Sequence, residues 1–201
     1  MKEGAGVEFI QNMDFAVLEF IQEKLRCGFL DTLMPIITHL GDKGIIWILT
    51  AVVLLFFKEY RRCGAILLFG LLAGLIVGNL IMKNIFDRSR PCWLEPIANM
   101  LIAVPEDYSF PSGHTMSSAI AAAVLVLRDR RIGVPAVIIA LSIAFSRLYL
   151  YVHFPTDVLV GAAVGVLIGI VAYRFGDGLM TGKTSCVSDK EEIQAKNTEK
   201  S

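Results

Sequence analysis

Between residues 43 and 175 the chain consists mostly of long apolar runs separated by short charged turns. About 20 apolar residues suffice for one helix to cross a membrane. Hydrophobic residues make up 55% of the sequence, and the mean hydropathy of +0.61 is too high for an ordinary soluble domain. We therefore predict an all-α, polytopic membrane helical bundle with about five transmembrane helices. The predicted spans are Lys43–Phe57, Cys63–Phe86, Thr115–Leu127, Gly133–Leu150 and Asp157–Phe175.

Residues 1–42 have a different pattern, which predicts a separate N-terminal segment ahead of the core at 43–175. Apolar residues recur at helical spacing from Val7 to Arg26 opposite a polar face, which indicates an amphipathic helix lying in the membrane interface. The polar face could instead pack on a soluble partner. A short apolar helix, Leu30–Leu40, follows, and we interpret His39 within it as an interfacial polar residue rather than a ligand. An additional span within residues 7–40 stays open.

The basic turns predict the orientation in the membrane. Residues 58–62 and 128–131 are short and basic, and the positive-inside rule places them in the cytoplasm. By alternation the tail, residues 176–201, lies on the same side, and its composition indicates disorder. The N-terminal helices, the loop from Asp87 to Pro111 and the turn around His153 then face the extracytoplasmic side of the cell membrane.

Charge and cysteine content exclude several other classes. The formal net charge is zero, with 19 basic and 19 acidic residues, so nothing favours a nucleic-acid partner. The four cysteines show no metal-ligand spacing, and a disulfide framework is not expected. The N-terminus lacks the basic and apolar regions of a cleavable signal peptide.

Glycines recur at every fourth residue in two spans, at positions 70, 74 and 78 and at positions 161, 165 and 169. This spacing places each set on one helix face, where the absence of side chains allows close packing. We interpret both ladders as packing surfaces within the subunit. A homodimer interface is the alternative.

Polar residues that membranes tolerate poorly converge at the outer ends of the predicted helices. They form three clusters along the chain: Lys83, Arg88 and Arg90; Ser112, Gly113 and His114; and Ser146, Arg147, His153 and Asp157. Ionisable residues inside a membrane indicate function by default. Snorkelling would explain a single Lys83 or Arg147, but it does not explain three clusters at one face.

The clusters carry mostly positive charge and therefore predict a site for an anion. Lys83, Arg90 and Arg147 could neutralise phosphoryl oxygens, with help from Ser112 and the N–H groups where a helix begins at Gly113. The alternative for Ser112 and Gly113 is a purely structural role, in which the serine caps the helix and the glycine forms a turn. The two histidines divide the chemistry: one attacks phosphorus and the other gives a proton to the leaving oxygen. Asp157 lies four residues after His153 and could fix its tautomer.

These residues together resemble the three-part signature of the type-2 phosphatidic acid phosphatase superfamily, which includes lipid phosphate phosphatases and vanadium haloperoxidases. The matching parts run from Lys83 to Arg90-Pro91, from Pro111 to His114, and from Ser146 to Asp157. The resemblance implies that His153 is the nucleophile that forms a phosphohistidine, that Asp157 orients it and that His114 is the general acid. It also implies that phosphate is bound by five residues: Lys83, Arg90, Ser112, Gly113 and Arg147.

From this resemblance we expect a metal-independent membrane lipid phosphatase without cofactors, acting on a lipid phosphate substrate. The expected substrate is undecaprenyl diphosphate, and phosphatidylglycerophosphate or phosphatidic acid is the alternative. A haloperoxidase is disfavoured because those relatives are soluble. A small transporter or flippase would place its site nearer the bilayer midplane. A purely structural membrane protein has no need for these charges at one interface.

Overall fold

The protein is described from a computed structural model, and the residues described are 5–97 and 99–198. Its elements in chain order are α1 (Ala5–Phe20), a π-helical turn (Ile21–Leu25), α2 (Gly28–Leu40), a 3₁₀ turn (Asp42–Gly44), α3 (Ile45–Phe56), α4 (Arg61–Gly74), a π-helical stretch (Leu75–Met82), α5 (Lys83–Phe86), α6 (Pro91–Leu94), α7 (Gly113–Arg128), α8 (Arg130–Tyr149) and α9 (Pro155–Thr198). Every regular element within the described residues is helical.

Three helical stretches in the described part of the chain are long and apolar enough to cross a membrane: Arg61–Leu94, Arg130–Tyr149 and Pro155–Gly176. α2 and α3 meet at a bend of 42°, and the pair has the length and hydropathy for a fourth span if the two helices are taken together. The predicted all-α membrane bundle is thereby confirmed. The predicted first span, Lys43–Phe57, contains α3, Ile45–Phe56. The domain boundary at residues 42 and 43 stays a prediction.

Four residues between α2 and α3 cause the bend between these helices. Gly41 ends α2, and Lys43 and Gly44 have φ values of 51° and 70°. Two successive left-handed residues cannot continue a right-handed helix. The chain therefore changes direction here, and Asp42 sits at the turn.

Helix α7 lies at the centre of the bundle and packs against α4, α8 and α9. Its 16 residues extend about 24 Å, less than the roughly 30 Å of a hydrocarbon core. The predicted glycine ladders both face it. A Cβ on Gly74 would lie 2.4 Å from Ile120 Cδ1, and one on Gly165 would lie 2.5 Å from the Met116 carbonyl oxygen. Packing within the subunit is confirmed for both ladders, and a homodimer stays a prediction.

Helix α1 combines an apolar exposed surface with a buried polar contact. Phe9, Met13 and Phe20 are exposed, whereas Asp14 and Leu18 are buried. An apolar surface beside charged residues suits a helix in the membrane interface. The Asp14 carboxylate accepts hydrogen bonds from the backbone N–H of Thr156 and from the Arg88 guanidinium, so α1 is fastened to the start of α9.

Helix α9 continues beyond the apolar residues through the segment 176–198, for which the sequence predicts disorder. The boundary at residue 175 and the cytoplasmic side of this segment stay predictions. Residues 199–201 lie outside the described residues.

Candidate active site

The predicted polar clusters meet at one end of the bundle. Lys83 begins α5, Arg90 precedes α6, Ser112 precedes α7, and Arg147 lies in the last turn of α8. The turn between α8 and α9 contributes a histidine, and the first turn of α9 contributes a carboxylate. All six are buried: Lys83, Arg90, Ser112, Arg147, His153 and Asp157. Helix ends bring them together because successive spans alternate in direction.

Proline residues fix two of these helix starts. Pro91 and Pro155 each occupy the first position of a helix, α6 and α9, where proline loses no hydrogen bond. Helix α5 already ends at Phe86, so Pro91 begins a new helix rather than closing the preceding one. Arg90 therefore sits in an extended conformation at the cap of α6, with its side chain turned inward.

The two ring nitrogens of His153 face different partners. Its Nε2 lies 3.1 Å from the Arg90 guanidinium, and its Nδ1 lies 3.3 Å from Ser109 Oγ and 3.6 Å from the Asp157 carboxylate. A separation of 3.6 Å is too long for a hydrogen bond. Ser109 Oγ instead donates to Asp157 and bridges the two residues. The predicted pairing of His153 with Asp157 thus runs largely through a serine that the sequence analysis did not identify.

Asp157 is held in place from several directions. Its carboxylate accepts hydrogen bonds from the backbone N–H of Phe154 at 2.8 Å and from the Arg88 guanidinium at 2.6 Å. Arg88 also reaches Asp14 and stacks over the Phe154 ring at 4.1 Å. The carboxylate therefore has little freedom to move relative to His153.

The surroundings of His153 keep its imidazole neutral. Complete burial and the positive charges of Arg90, Arg147 and Lys83 hold the pKa of His153 well below its ordinary value. With Nδ1–H directed at Ser109 and Asp157, the lone pair lies on Nε2. A neutral imidazole is what nucleophilic attack requires, and the Nε2 lone pair attacks once the phosphoryl group takes the place of the Arg90 contact.

Two of the cations assigned to phosphate bind a carboxylate in this structure. Lys83 Nζ and the Arg90 guanidinium both donate to the side chain of Asp107, the Arg90 contact being 2.7 Å. Burial opposes ionisation of this carboxyl, but the hydrogen bond from Lys83 and the charge of Arg90 outweigh it and hold the pKa of Asp107 below its ordinary range. Asp107 lies in the loop before α7 and shows that the two cations can share one anion.

At the start of α7, Ser112 caps the helix, as the structural alternative for this residue predicts. Ser112 Oγ accepts hydrogen bonds from Thr115 Oγ1 at 3.0 Å and, more weakly, from the Thr115 N–H at 3.4 Å. It thus caps the helix, and its role toward phosphate stays a prediction. Gly113 lies in a tight space, since a Cβ there would be 3.2 Å from Asn79 Oδ1. His114 Nε2 lies 2.9 Å from the Asp42 carboxylate.

Arg147 has an unused hydrogen-bond donor. One terminal nitrogen donates to Thr38 Oγ1 at 2.6 Å, whereas its buried Nε has no partner among the described residues. Buried donors are nearly always paired in native proteins. A donor left free beside Lys83, Arg90 and His153 fits a site that receives an anion.

His153, the three buried cations and His114 open onto one cavity of about 820 Å³. Lys83, Arg90, His114, Arg147 and His153 line its polar end. The remainder is mainly apolar and runs between helices, with a lining that includes Ile48, Leu68, Leu71, Leu72, Leu75 and Met116. One pocket therefore joins a cationic end to an apolar groove.

Comparison with known proteins agrees with this arrangement. Residues 64–180 match the model of the PAP2 superfamily. The chain belongs to this superfamily. The predicted membership of the type-2 phosphatidic acid phosphatase (PAP2) superfamily is therefore confirmed. The predicted activity class, a membrane phosphatase that acts on phosphate esters, is confirmed with it.

Individual PAP2 proteins show how far the similarity extends. The chain is 34% identical over 150 residues to undecaprenyl-diphosphatase BcrC of Bacillus subtilis, covering 74% of this chain and 76% of that protein. The crystal structure of a transmembrane PAP2 type phosphatidylglycerolphosphate phosphatase from Bacillus subtilis superposes with a TM-score of 0.69 and 27% identity, covering 84% and 87% of the two chains. Aquifex aeolicus LpxE gives a TM-score of 0.71 and 27% identity over 81% and 95%.

Several residues that complete the PAP2 site here were not predicted from the sequence. They are Asp14, Thr38, Asp42, Asp107 and Ser109, while Arg88 was noted beside the motif without a role. Most come from segments outside the three motifs, and their partners lie as far as 142 residues away in the chain. A polar residue in a helix break, such as Asp42, was the one available indication.

Proposed function

We propose that the protein is an integral membrane lipid phosphatase that works through a phosphohistidine on His153. The observation that carries this proposal is the cavity that joins His153 and three buried cations to an apolar groove. A lipid phosphate has the same two parts, an anionic head group and an apolar tail. A site with both parts side by side favours such a substrate over a soluble phosphate ester.

In the first step His153 Nε2 attacks phosphorus, a P–N bond forms and the bond to the leaving oxygen breaks. Lys83, Arg90 and Arg147 stabilise the negative charge that builds on the phosphoryl oxygens. The leaving oxygen takes a proton from His114. Ser109 and Asp157 hold the Nδ1–H of His153 and stabilise the positive charge that develops on its ring. The Arg90 and Lys83 contacts with Asp107 give way to, or are shared with, the phosphoryl group.

In the second step water attacks the phosphohistidine, the P–N bond breaks and free phosphate forms. His114, now neutral, accepts the proton of the attacking water and regains its starting state. The two steps together consume one water and return every side chain to its original protonation.

We propose undecaprenyl diphosphate as the substrate, supported by the similarity to BcrC of Bacillus subtilis. Phosphatidylglycerophosphate is the runner-up, supported by the structural similarity to a phosphatase named for it. The groove is long: Leu68 lies 15 residues before Lys83, which corresponds to roughly 20 Å of helix. It accommodates a long single chain.

Phosphate release in detergent from four substrates tests the proposal: undecaprenyl diphosphate, phosphatidylglycerophosphate, phosphatidate and p-nitrophenyl phosphate. We expect the highest kcat/KM for undecaprenyl diphosphate and the lowest for the soluble ester, because only lipids gain from the groove. A highest value for phosphatidylglycerophosphate would favour the runner-up. Equal values for the soluble ester and the lipids would contradict a role for the groove.

We further propose that the site opens on the extracytoplasmic side of the cell membrane, as the basic turns indicate. In a variant without native cysteines, a cysteine in place of Asn99, an exposed residue of the loop before α7, should react with a membrane-impermeant maleimide on intact cells. A matched cysteine in place of the exposed Lys58 should react only after permeabilisation. The reverse pattern would place the site in the cytoplasm.

A further inference from the structure

A carboxylate at the break between α2 and α3 contacts the proposed general acid. Asp42 Oδ1 lies 2.9 Å from His114 Nε2, and Asp42 Oδ2 lies 2.8 Å from His39 Nδ1. Asp42 and His114 are 72 positions apart in the sequence. One carboxylate therefore links two histidines from different helices.

The backbone of the break is shaped around the His114 ring. A Cβ on Gly41 would lie 2.8 Å from His114 Cδ2 and 3.0 Å from Ile143 Cγ2, so the ring rests against this glycine. Lys43 adopts a left-handed conformation that costs energy for a residue with a side chain. Such strain persists where the surrounding structure fixes it, and here it directs Asp42 at His114.

The contact determines which nitrogen of His114 faces the substrate. A carboxylate can only accept, so His114 Nε2 carries the hydrogen and donates it to Asp42. Nδ1 is then the nitrogen available to the leaving oxygen. The negative charge of Asp42 also offsets Arg147 and Lys83, which line the same cavity and disfavour a protonated imidazole.

We propose that Asp42 is the positioning residue of His114 and that His39 in turn holds Asp42. This inference rests on the proposed phosphatase function and extends the active site to residues 39–42. When the imidazolium gives its Nδ1 proton to the leaving oxygen, the hydrogen on Nε2 stays there and remains hydrogen-bonded to the Asp42 carboxylate. When water attacks the phosphohistidine, the same hydrogen bond steadies His114 as it takes up the water's proton. His39, which the sequence analysis interprets as an interfacial polar residue, thereby gains a supporting role.

The Asp42→Asn variant tests the proposal through its dependence on the leaving group. Nitrophenolate leaves phosphorus without a proton, whereas a lipid alkoxide needs one. With p-nitrophenyl phosphate we expect a normal burst of one nitrophenolate per active site, followed by turnover reduced about 10²-fold, since hydrolysis of the phosphohistidine still needs His114. With phosphatidate, single-turnover formation of the phosphoenzyme itself should slow about 10²-fold.

Asp129→Asn is the matched control. Asp129 also accepts two hydrogen bonds, from the Arg131 N–H and the Tyr60 hydroxyl, but lies at the opposite end of the bundle. Both burst and turnover should be unchanged in this variant. Asp42→Glu should recover part of the lost turnover, because it restores a carboxylate.

Two results would overturn the proposal. If Asp42→Asn slows the nitrophenolate burst and the phosphatidate step by the same factor, or slows neither, Asp42 does not act through His114. Should Asp42→Asn fail to fold, His39→Asn at its exposed position supplies the same comparison with a smaller effect. Absence of phosphatase activity in the unaltered protein would instead refute the proposed function itself.

Discussion

Replacing His153 with alanine is expected to lower phosphate release from every lipid substrate by at least about 10⁴-fold, because the variant lacks the imidazole proposed to form the covalent intermediate. In the structure His153 is the imidazole whose Nε2 faces the buried cations and whose Nδ1 is held by Ser109. Labelling with a radioactive lipid phosphate, followed by an alkaline quench that preserves phosphohistidine, should trap label on the unaltered protein and none on the variant.

Tyr151→Phe is a suitable control for this experiment. Tyr151 lies in the same turn and is also buried, but among the described residues its hydroxyl makes a single long contact, 3.5 Å, with Glu95. Its loss should leave both turnover and trapping within about twofold, as expected for a residue away from the chemistry. Full activity of the His153 variant would contradict the proposed mechanism. Label retained on the variant protein would show that the nucleophile is another residue.

Replacing Arg90 with lysine is expected to reduce kcat/KM by about 10²-fold to 10³-fold although the charge is kept. The Arg90 guanidinium holds the Val152 carbonyl at 2.6 Å and the Asp107 carbonyl at 2.7 Å while facing His153 Nε2. An ammonium group cannot make these contacts together, because its donors radiate from a single atom. Steady-state phosphate release from undecaprenyl diphosphate measures the effect.

Arg128→Lys provides the matched exchange at a distance from the site. Arg128 donates to the Glu59 carbonyl at 2.8 Å and lies over the Tyr60 ring, at the opposite end of α7. Its kcat/KM should be unchanged. Because Arg90 is buried, thermal unfolding of both variants should be followed as well. An Arg90→Lys protein that unfolds normally and keeps full kcat/KM would show that a point charge suffices at this position.

The predicted pH behaviour follows from the environment of His153. Its pKa lies well below the ordinary value in the folded protein, so the imidazole stays neutral as the pH falls through the range where an exposed histidine gains a proton. The unfolded chain does gain that proton, and folding is therefore destabilised by His153 as the pH drops below about 6.5. The nucleophile itself remains competent there.

The fold and the motif residues were largely predictable because both depend on local properties of the chain. Apolar length marks the helices, and alternation of spans places Lys83, Ser112 and His153 at one end without any knowledge of packing. The sequence also separates the helix that ends at Leu40 from the span that begins at Lys43, and in the structure the two helices meet there at a bend of 42°. The contacts of Ser109 and Asp107 were not visible, because a polar loop residue gives no indication of its partner.

The sequence by itself determined that this protein is a PAP2 membrane bundle with histidines and cations collected at one face. The three-dimensional arrangement of the helices decided the rest: that Ser109 stands between His153 and Asp157, that Asp107 binds Lys83 and Arg90, and that Asp42 contacts His114. These contacts join residues 17 to 72 positions apart. They depend on how each helix is rotated and bent against its neighbours, and periodicity along one segment carries no information about that.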